Sequence, residues 1–176
     1  MSDQELIESF LRGDEDAFVG LMSKYQRLVF HTIKGILLNN DTAQEVTQET
    51  FIKAFNKLNA LKDRNRFRSW LLRIALNLAY DQIKRQQDEF EFDDSFMAPT
   101  TDSEKLIIAR DLAERVKKVI AQLAPKQRMI LSLHLFREMK SVEIADLLEL
   151  NPATVRSNLH FGMKNLRETL HKQQVI

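Results

Sequence analysis

The sequence predicts an all-α protein made of two small helical domains joined by an acidic linker. Three observations carry that prediction. Apolar residues recur at spacings of three and four along most of the chain, and no segment alternates over the length of a strand. Glycine and proline are scarce, 4 and 3 in 176 residues, too few for the turns of a sandwich or barrel. Charge is divided unevenly. Residues 1–87 hold 13 Lys/Arg and 11 Asp/Glu, a net +2. Residues 88–104 hold 7 acids and no base, a net −7, and residues 105–176 hold 13 bases and 7 acids, a net +6. The organisation that follows is a first domain over 1–87, a linker over 88–103 and a second domain over 104–176. Each domain is small enough to depend on tight packing.

Ser2-x-x-Glu5 reads as a capping box opening a helix to Leu11. Arg12-Gly13-Asp14 ends it, with Asp14 placed to cap the next helix. That second helix carries Phe18, Leu21, Met22, Tyr25, Leu28, Val29 and Ile33 and ends near Asn39-Asn40. Asp41 caps a third helix, with Gln44 at the capping-box position and Val46, Phe51, Phe55 and Leu58 on the apolar side. A basic connector, Lys62 to Arg68, leads to a fourth helix marked by Trp70, Leu71, Ile74, Ala75, Leu78 and Ile83 and ending near Arg85. The acidic linker has no apolar period and contains Pro99-Thr100-Thr101, so it reads as flexible. Its Phe90, Phe92, Phe96 and Met97 fit either of two roles, tacking onto a domain or docking in a partner's channel.

Thr101-x-x-Glu104 is a second capping box, followed by the stripe Leu106, Ala109, Ala113, Val116, Ile120 and Leu123. Pro125 suits the first position of the next helix, which bears Met129, Ile130, Leu133 and Leu135. A short helix holds Val142, Ile144, Ala145, Leu147 and Leu148. Asn151 as cap and Pro152 behind it open a last helix with Val155, Leu159, Met163, Leu166 and Leu170.

Several function classes drop out. With no cysteine there is no disulfide framework, thiol nucleophile, cysteine zinc site or iron–sulfur centre, and the composition fits a reducing cytoplasm. No P-loop, dinucleotide glycine pattern or nucleophile elbow occurs, and His31, His134, His160 and His171 are scattered. The reading is a non-enzyme with no catalytic residue, metal or cofactor. No run of eighteen apolar residues predicts membrane insertion, and Met1-Ser2-Asp3-Gln4-Glu5 is not a secretory signal, so a cytoplasmic location is expected.

The binding candidates lie in three segments. Residues 143–156 fit a helix-turn-helix. Ala145 is the small residue at a close crossing, Leu150, Val155 and Leu159 face inward, and Glu149 stands where such turns often have glycine. The second helix then offers Ala153, Thr154, Arg156, Ser157, Asn158, His160 and Phe161 to a major groove, with Arg156 suited to guanine, Asn158 to adenine and Thr154 to phosphate. A helical hairpin without DNA is the alternative. Arg64, Arg66, Phe67, Arg68, Trp70, Arg73 and Tyr80 interleave cations with rings, as single-stranded nucleic acid requires, although on the residues alone Phe67 and Trp70 read more readily as core. Asp41, Gln44, Glu45, Gln48 and Glu49 share one side of the third helix, either as a solvated face or as a docking surface for a basic partner helix.

Taken together, these segments resemble the extracytoplasmic-function group of sigma-70 factors, the small two-domain initiation subunits of bacterial RNA polymerase. Asp16-Ala17-Phe18 with Tyr25 and Val29-Phe30 looks like the start of sigma region 2. Asp41-x-Ala43-x-Glu45-x-x-Gln48-Glu49-Thr50-Phe51 looks like its polymerase-binding segment. Phe67-Arg68-x-Trp70-Leu71-x-x-Ile74-Ala75-x-Asn77 with Asp81 and Arg85 looks like the part that reads and melts the −10 element. Leu123-Ala124-Pro125-x-x-Arg128 and the helix-turn-helix look like region 4, which binds the −35 element and the polymerase flap.

The resemblance implies contacts to the polymerase clamp helices from Asp41, Glu45, Gln48 and Glu49. It implies −10 contacts from Asn59, Lys62, Arg64, Arg66, Phe67, Arg68, Trp70, Arg73, Asn77, Asp81 and Arg85, with the loop from Asn59 to Arg66 as a pocket for a flipped base. The helix-turn-helix residues would take the −35 duplex, the linker would follow the polymerase active-site and RNA-exit path, and an anti-sigma factor is expected as a partner. Lys140 stands at a helix cap often held by serine, and Asn158, His160 and Phe161 stand where many members have Arg or Lys. A stand-alone helix-turn-helix regulator and a sigma-like decoy that does not melt DNA are the rival readings.

Overall fold

The computed structural model describes residues 1–89 and 104–172, with side chains described for 1–86 and 111–172. Among the described residues the chain is helical and has no strand: α1 (Asp3–Leu11), α2 (Asp16–Leu37), α3 (Asn40–Lys57), α4 (Phe67–Glu89), α5 (Glu104–Ala121), α6 (Pro125–Arg137), α7 (Ser141–Leu148) and α8 (Pro152–Lys172). Two short 3-10 turns, Leu58–Ala60 and Arg64–Arg66, carry the chain from α3 to α4. The linker aromatics and the Thr101 capping box lie outside the described residues, as do the side chains of Leu106 and Ala109.

Local chemistry sets most helix ends. The Ser2–Glu5 capping box forms in both directions, the Ser2 hydroxyl taking the Glu5 N–H and the Glu5 carboxylate taking the Ser2 N–H. Two expected caps do not form. Asp14 accepts the Ser9 hydroxyl at 2.7 Å, and α2 begins two residues later without a side-chain cap. Asn39, not Asp41, caps α3 through the Thr42 N–H at 3.0 Å. An amide oxygen already in place one step upstream leaves Asp41 in the first turn, where its charge still complements the helix dipole. Pro125 stands at the start of α6, as its fixed φ favours. At α7 only half a capping box forms: the Glu143 carboxylate takes the Lys140 N–H at 2.7 Å, because lysine has no acceptor to return.

In the first domain α2 is the central helix, packed by α1, α3 and α4. Ile7, Leu21, Val29, Ile33, Leu58, Leu71, Leu76 and Ile83 are buried there. Phe10, Phe18, Phe51 and Phe55 form an aromatic group where α1, α2 and α3 meet, with Phe10 and Phe55 edge to face at 5.0 Å. In the second domain α6 and α8 cross closely. Leu131 is fully buried and packs against α8 beside Gly162, where even a Cβ would lie in ordinary contact with it at 3.5 Å. Val142 and Ala113, both placed on apolar stripes by the sequence, are exposed. The two domains are packed on each other. Met129, Ile130, Leu133, Ile144, Ala145, Leu147 and Val155 belong to the same buried cluster as the core of the first domain.

A polar tie fastens α1 to α2. Asp3 accepts the Lys24 ammonium at 2.6 Å and the Tyr25 hydroxyl. Burial works against the Asp3 carboxylate, but these two donors outweigh it and hold its pKa below the ordinary value. Burial, then the bond to Asp3, pushes the Tyr25 phenol up to about 12. The two shifts predict loss of stability at both pH extremes. A lowered Asp3 pKa gives stability that is present above the ordinary carboxylate range and lost as pH falls through the folded value. A raised Tyr25 pKa gives stability that is present below about pH 10 and lost as pH climbs toward about 12. Urea midpoints from pH 2.5 to 11.5 should therefore fall on both limbs. Asp3→Asn should flatten the acid limb and Tyr25→Phe the alkaline one; unchanged limbs would exclude this tie as their source.

Candidate nucleic-acid interface

Three surfaces carry the candidate residues. On α3, Asp41, Gln44, Glu45, Gln48 and Glu49 are all exposed, with Glu49 paired to Lys53 at 2.9 Å. Beside them lies an apolar groove of about 500 Å³ between α2 and α3, lined in part by Met22, Phe51, Ile52 and Phe55. Ile52 is 62% exposed. It follows Gln48 by four residues and Glu45 by seven, so it belongs to the polar face. That lone apolar residue on a polar face was the readable sign of a groove that the sequence analysis missed.

The second surface runs from the connector along α4. Asn59, Lys62, Arg66 and Arg68 are exposed in and just after the connector. Arg64 is paired with Glu8 of α1 at 2.5 Å, and Gln4 bonds Asn65 at 3.2 Å, so the loop is clipped to α1. Phe67 corrects an expectation. It is fully buried, with its ring centroid 5.3 Å from Tyr25 and 5.9 Å from Trp70, and offers no face to a base. A phenylalanine at the start of a helix docking on α2 buries more apolar area inward than it would shield outside. Trp70 is half-buried against it and keeps part of its ring at the surface. Asn77, Asp81 and Arg85 are exposed and follow at intervals of four, so they form one row along α4. Arg73 starts that row but is engaged elsewhere: it pairs with Glu149 and donates to the Asp146 carbonyl at 3.1 Å.

The third surface is the α7–α8 pair. Ala145 is buried at the crossing, Val155 is fully buried, and Leu150 and Leu159 pack on the core. The turn closes as expected: Glu149 takes a left-handed conformation at φ 53° and the Leu150 N–H donates to the Ala145 carbonyl at 2.9 Å. Non-glycine residues at such a φ carry strain. Asn151 opens α8 by accepting the Ala153 N–H at 2.8 Å. Ala153, Arg156, Ser157, His160 and Phe161 are exposed, with Thr154 and Asn158 half-buried. The Asn158 amide donates to the Thr154 carbonyl at 2.8 Å, so reading a base would require it to leave its own helix. Phe161 is 54% exposed and meets His160 edge to face at 5.5 Å.

No helix among the described residues is long and apolar enough to cross a membrane. Among those residues no group of three metal-ligating side chains gathers.

Residues 21–89 match sigma-70 region 2 and residues 113–166 match sigma-70 region 4. The chain is 31% identical over 169 residues to the RNA polymerase sigma-H factor of Pseudomonas aeruginosa, covering 89% of this chain and 88% of that one. It is 25% identical over 182 residues to the ECF RNA polymerase sigma factor SigW of Bacillus subtilis, covering 97% of each. Among solved structures it is similar in fold to CnrH in complex with the cytosolic domain of CnrY, with a TM-score of 0.67, 23% identity and 97% of both chains covered. It is also similar to the sigma factor RpoE of Bartonella quintana in complex with the anti-sigma factor NepR, with a TM-score of 0.64, 20% identity and coverage of 88% and 96%. The order of the two matched regions agrees with the order of the two surfaces on α4 and α8, and the chain belongs to the sigma-70 family of RNA polymerase sigma factors, in its extracytoplasmic-function group.

Proposed function

We propose that this sigma factor works by delegated recognition, with core RNA polymerase bound through α3, duplex DNA through α8 and unstacked DNA through α4. One observation carries the reading: a single chain exposes a helix-turn-helix face on one domain and a polar row with a half-open tryptophan on the other. The first suits duplex and the second suits separated strands. Magnitudes limit what the second can do. Opening DNA costs about 1.4 kcal/mol per base-pair step, and one base stacked on a ring returns about 1–3 kcal/mol. Trp70 and the pocket proposed between Asn59 and Arg66 can thus offset a short melted stretch, and polymerase must supply the rest.

Asp41, Glu45, Gln48 and Glu49, with Ile52 and Phe55 beside them, are the polymerase contacts in this reading. An acidic rim around an apolar groove suits a basic amphipathic helix. The protein would then work in the cytoplasm, with polymerase. An anti-sigma partner fits the same exposed groove, and the structurally similar RpoE is itself seen with an anti-sigma factor.

Arg156→Ala should weaken binding to a −35 duplex by about 1–3 kcal/mol, roughly 5- to 150-fold, and relax preference at one base pair, as read by competition binding on a library. A uniform loss across all sequences would instead make Arg156 a phosphate contact, with the log–log salt slope reduced by about 0.9.

The test of the whole reading is run-off transcription with core polymerase on promoters randomised at both elements. Transcripts that depend on this protein and enrich two spaced motifs support it. Tight duplex binding with no effect on polymerase would leave a helix-turn-helix regulator, and polymerase binding without transcripts on any promoter would leave a decoy.

A further inference from the structure

We infer that Phe161 of α8 is a specificity-determining residue that reads the C5-methyl group of thymine in the duplex taken by the helix-turn-helix. The inference deepens the function proposed above and rests on it. Phe161 is not a core residue. It is 54% exposed, while Gly162, the next residue, is buried against Leu131 of α6. A lone exposed ring needs no explanation by itself. Two further observations give this one a partner.

The first is charge. From Asn151 to Arg167 the chain holds no Asp or Glu, whereas Arg156, Lys164 and Arg167 are exposed. A ring set among cations with no acid in seventeen residues faces a polyanion. The second is the arrangement of the face. At 3.6 residues per turn, Phe161 stands about 140° round the helix from Arg156 and about 7.5 Å further along. Arg156 and His160 therefore hold one edge of the exposed face, and Ser157 and Phe161 hold the other. Ala153 and Ser157 precede Phe161 at intervals of four. Both are small, so the ring stands above its own row. His160 meets it edge to face at 5.5 Å, which supports one side of the ring. Asn158 gives its amide to the Thr154 carbonyl, so this edge presents no free amide to an adenine.

The chemistry of the groove then selects the base. Among the four bases only thymine carries a methyl group in the major groove, and apolar contact with that methyl distinguishes it. A phenyl ring neither donates nor accepts a conventional hydrogen bond. The O6 of guanine and the exocyclic amines of adenine and cytosine would lose water against it and gain nothing. The two edges of α8 thus divide the work: Arg156 takes a guanine by hydrogen bonds, and Phe161 takes a thymine on a neighbouring base pair by apolar contact.

The experiment uses the full-length protein with core polymerase on the promoter that the randomised selection enriches. Each thymine of its −35 duplex is replaced in turn by 2′-deoxyuridine, which removes one methyl group and leaves the base pairing intact. At one or two positions the parent should lose about 3- to 5-fold in affinity, the worth of one buried methyl. Phe161→Ala should bind the thymine and deoxyuridine duplexes equally well, and Phe161→Leu should keep part of the difference. Arg156→Ala should bind more weakly overall yet keep the full methyl response. The Phe161 site is exposed, so the urea midpoint of each Phe161 variant should match the parent. No methyl response at any thymine, or one that persists in Phe161→Ala, would overturn the inference. Loss of polymerase binding by Phe161→Ala, with no methyl response in the parent, would assign the ring to a protein partner and overturn it as well. If polymerase enriches no promoter, the function proposed above falls, and the same replacements in the duplex that the protein selects alone still decide the role of Phe161. No selected duplex in either form would overturn both.

Discussion

Trp70→Ala is expected to leave the protein folded and to cut formation of melted promoter complexes by roughly 5- to 150-fold, the worth of one lost base stack. Phe67→Ala, three residues earlier, should do something different. Phe67 is fully buried between Tyr25 and Trp70, so its loss costs about 3–5 kcal/mol through lost burial and an unfilled cavity. The first domain should then unfold at markedly lower urea, and every activity should fall with it. Permanganate reactivity of unpaired thymines on a promoter, read beside urea melts of both variants, separates the two effects. Equal permanganate signals for Trp70→Ala and the parent would remove Trp70 from the melting surface. The contrast matters because the two rings sit 5.9 Å apart and look alike in the sequence.

The other large effect belongs to α3. Glu45→Lys together with Glu49→Lys should weaken binding to core polymerase by roughly 100-fold or more, since like charges brought together at an interface cost several kcal/mol. Stability should hardly change. Both residues are exposed, and the one ion pair lost, Glu49 to Lys53, is a surface pair with little worth. Binding of labelled protein to core polymerase at two salt concentrations provides the measurement. An affinity within threefold of the parent would take the acidic row out of the interface and leave the neighbouring apolar groove as the anchor. Ile52→Asp then gives an independent reading of that groove.

Much of the fold was legible in the sequence because helices are specified locally. The Ser2–Glu5 box, Pro125, and the Asn151-Pro152 start are each set by residues within one turn, and each stands where the sequence places it. The caps that differed had separate causes: at α3 the Asn39 amide oxygen stands one step upstream of Asp41, and at α2 the Asp14 carboxylate is engaged by the Ser9 hydroxyl instead of the helix. The left-handed Glu149 was legible too, as the residue in a turn position that favours glycine. The order of the segments, with an acidic stretch between basic ones, was enough to point to the family.

What the sequence could not decide was which side of each side chain is covered, and by what. Phe67 and Trp70 share composition, segment and spacing, yet one faces Tyr25 on α2 and the other turns half outward. Ile52 needed the neighbouring Met22 of α2 to become part of a groove. Arg128 is legible as part of the Leu123-Ala124-Pro125-x-x-Arg128 motif, but its acceptors, the carbonyls of Ile36 and Leu37 on α2, lie some ninety residues away. Periodicity reports that a helix has an apolar face, because the repeat of the backbone is fixed. The partner of that face depends on contacts distant in the chain, and only the tertiary structure holds that information.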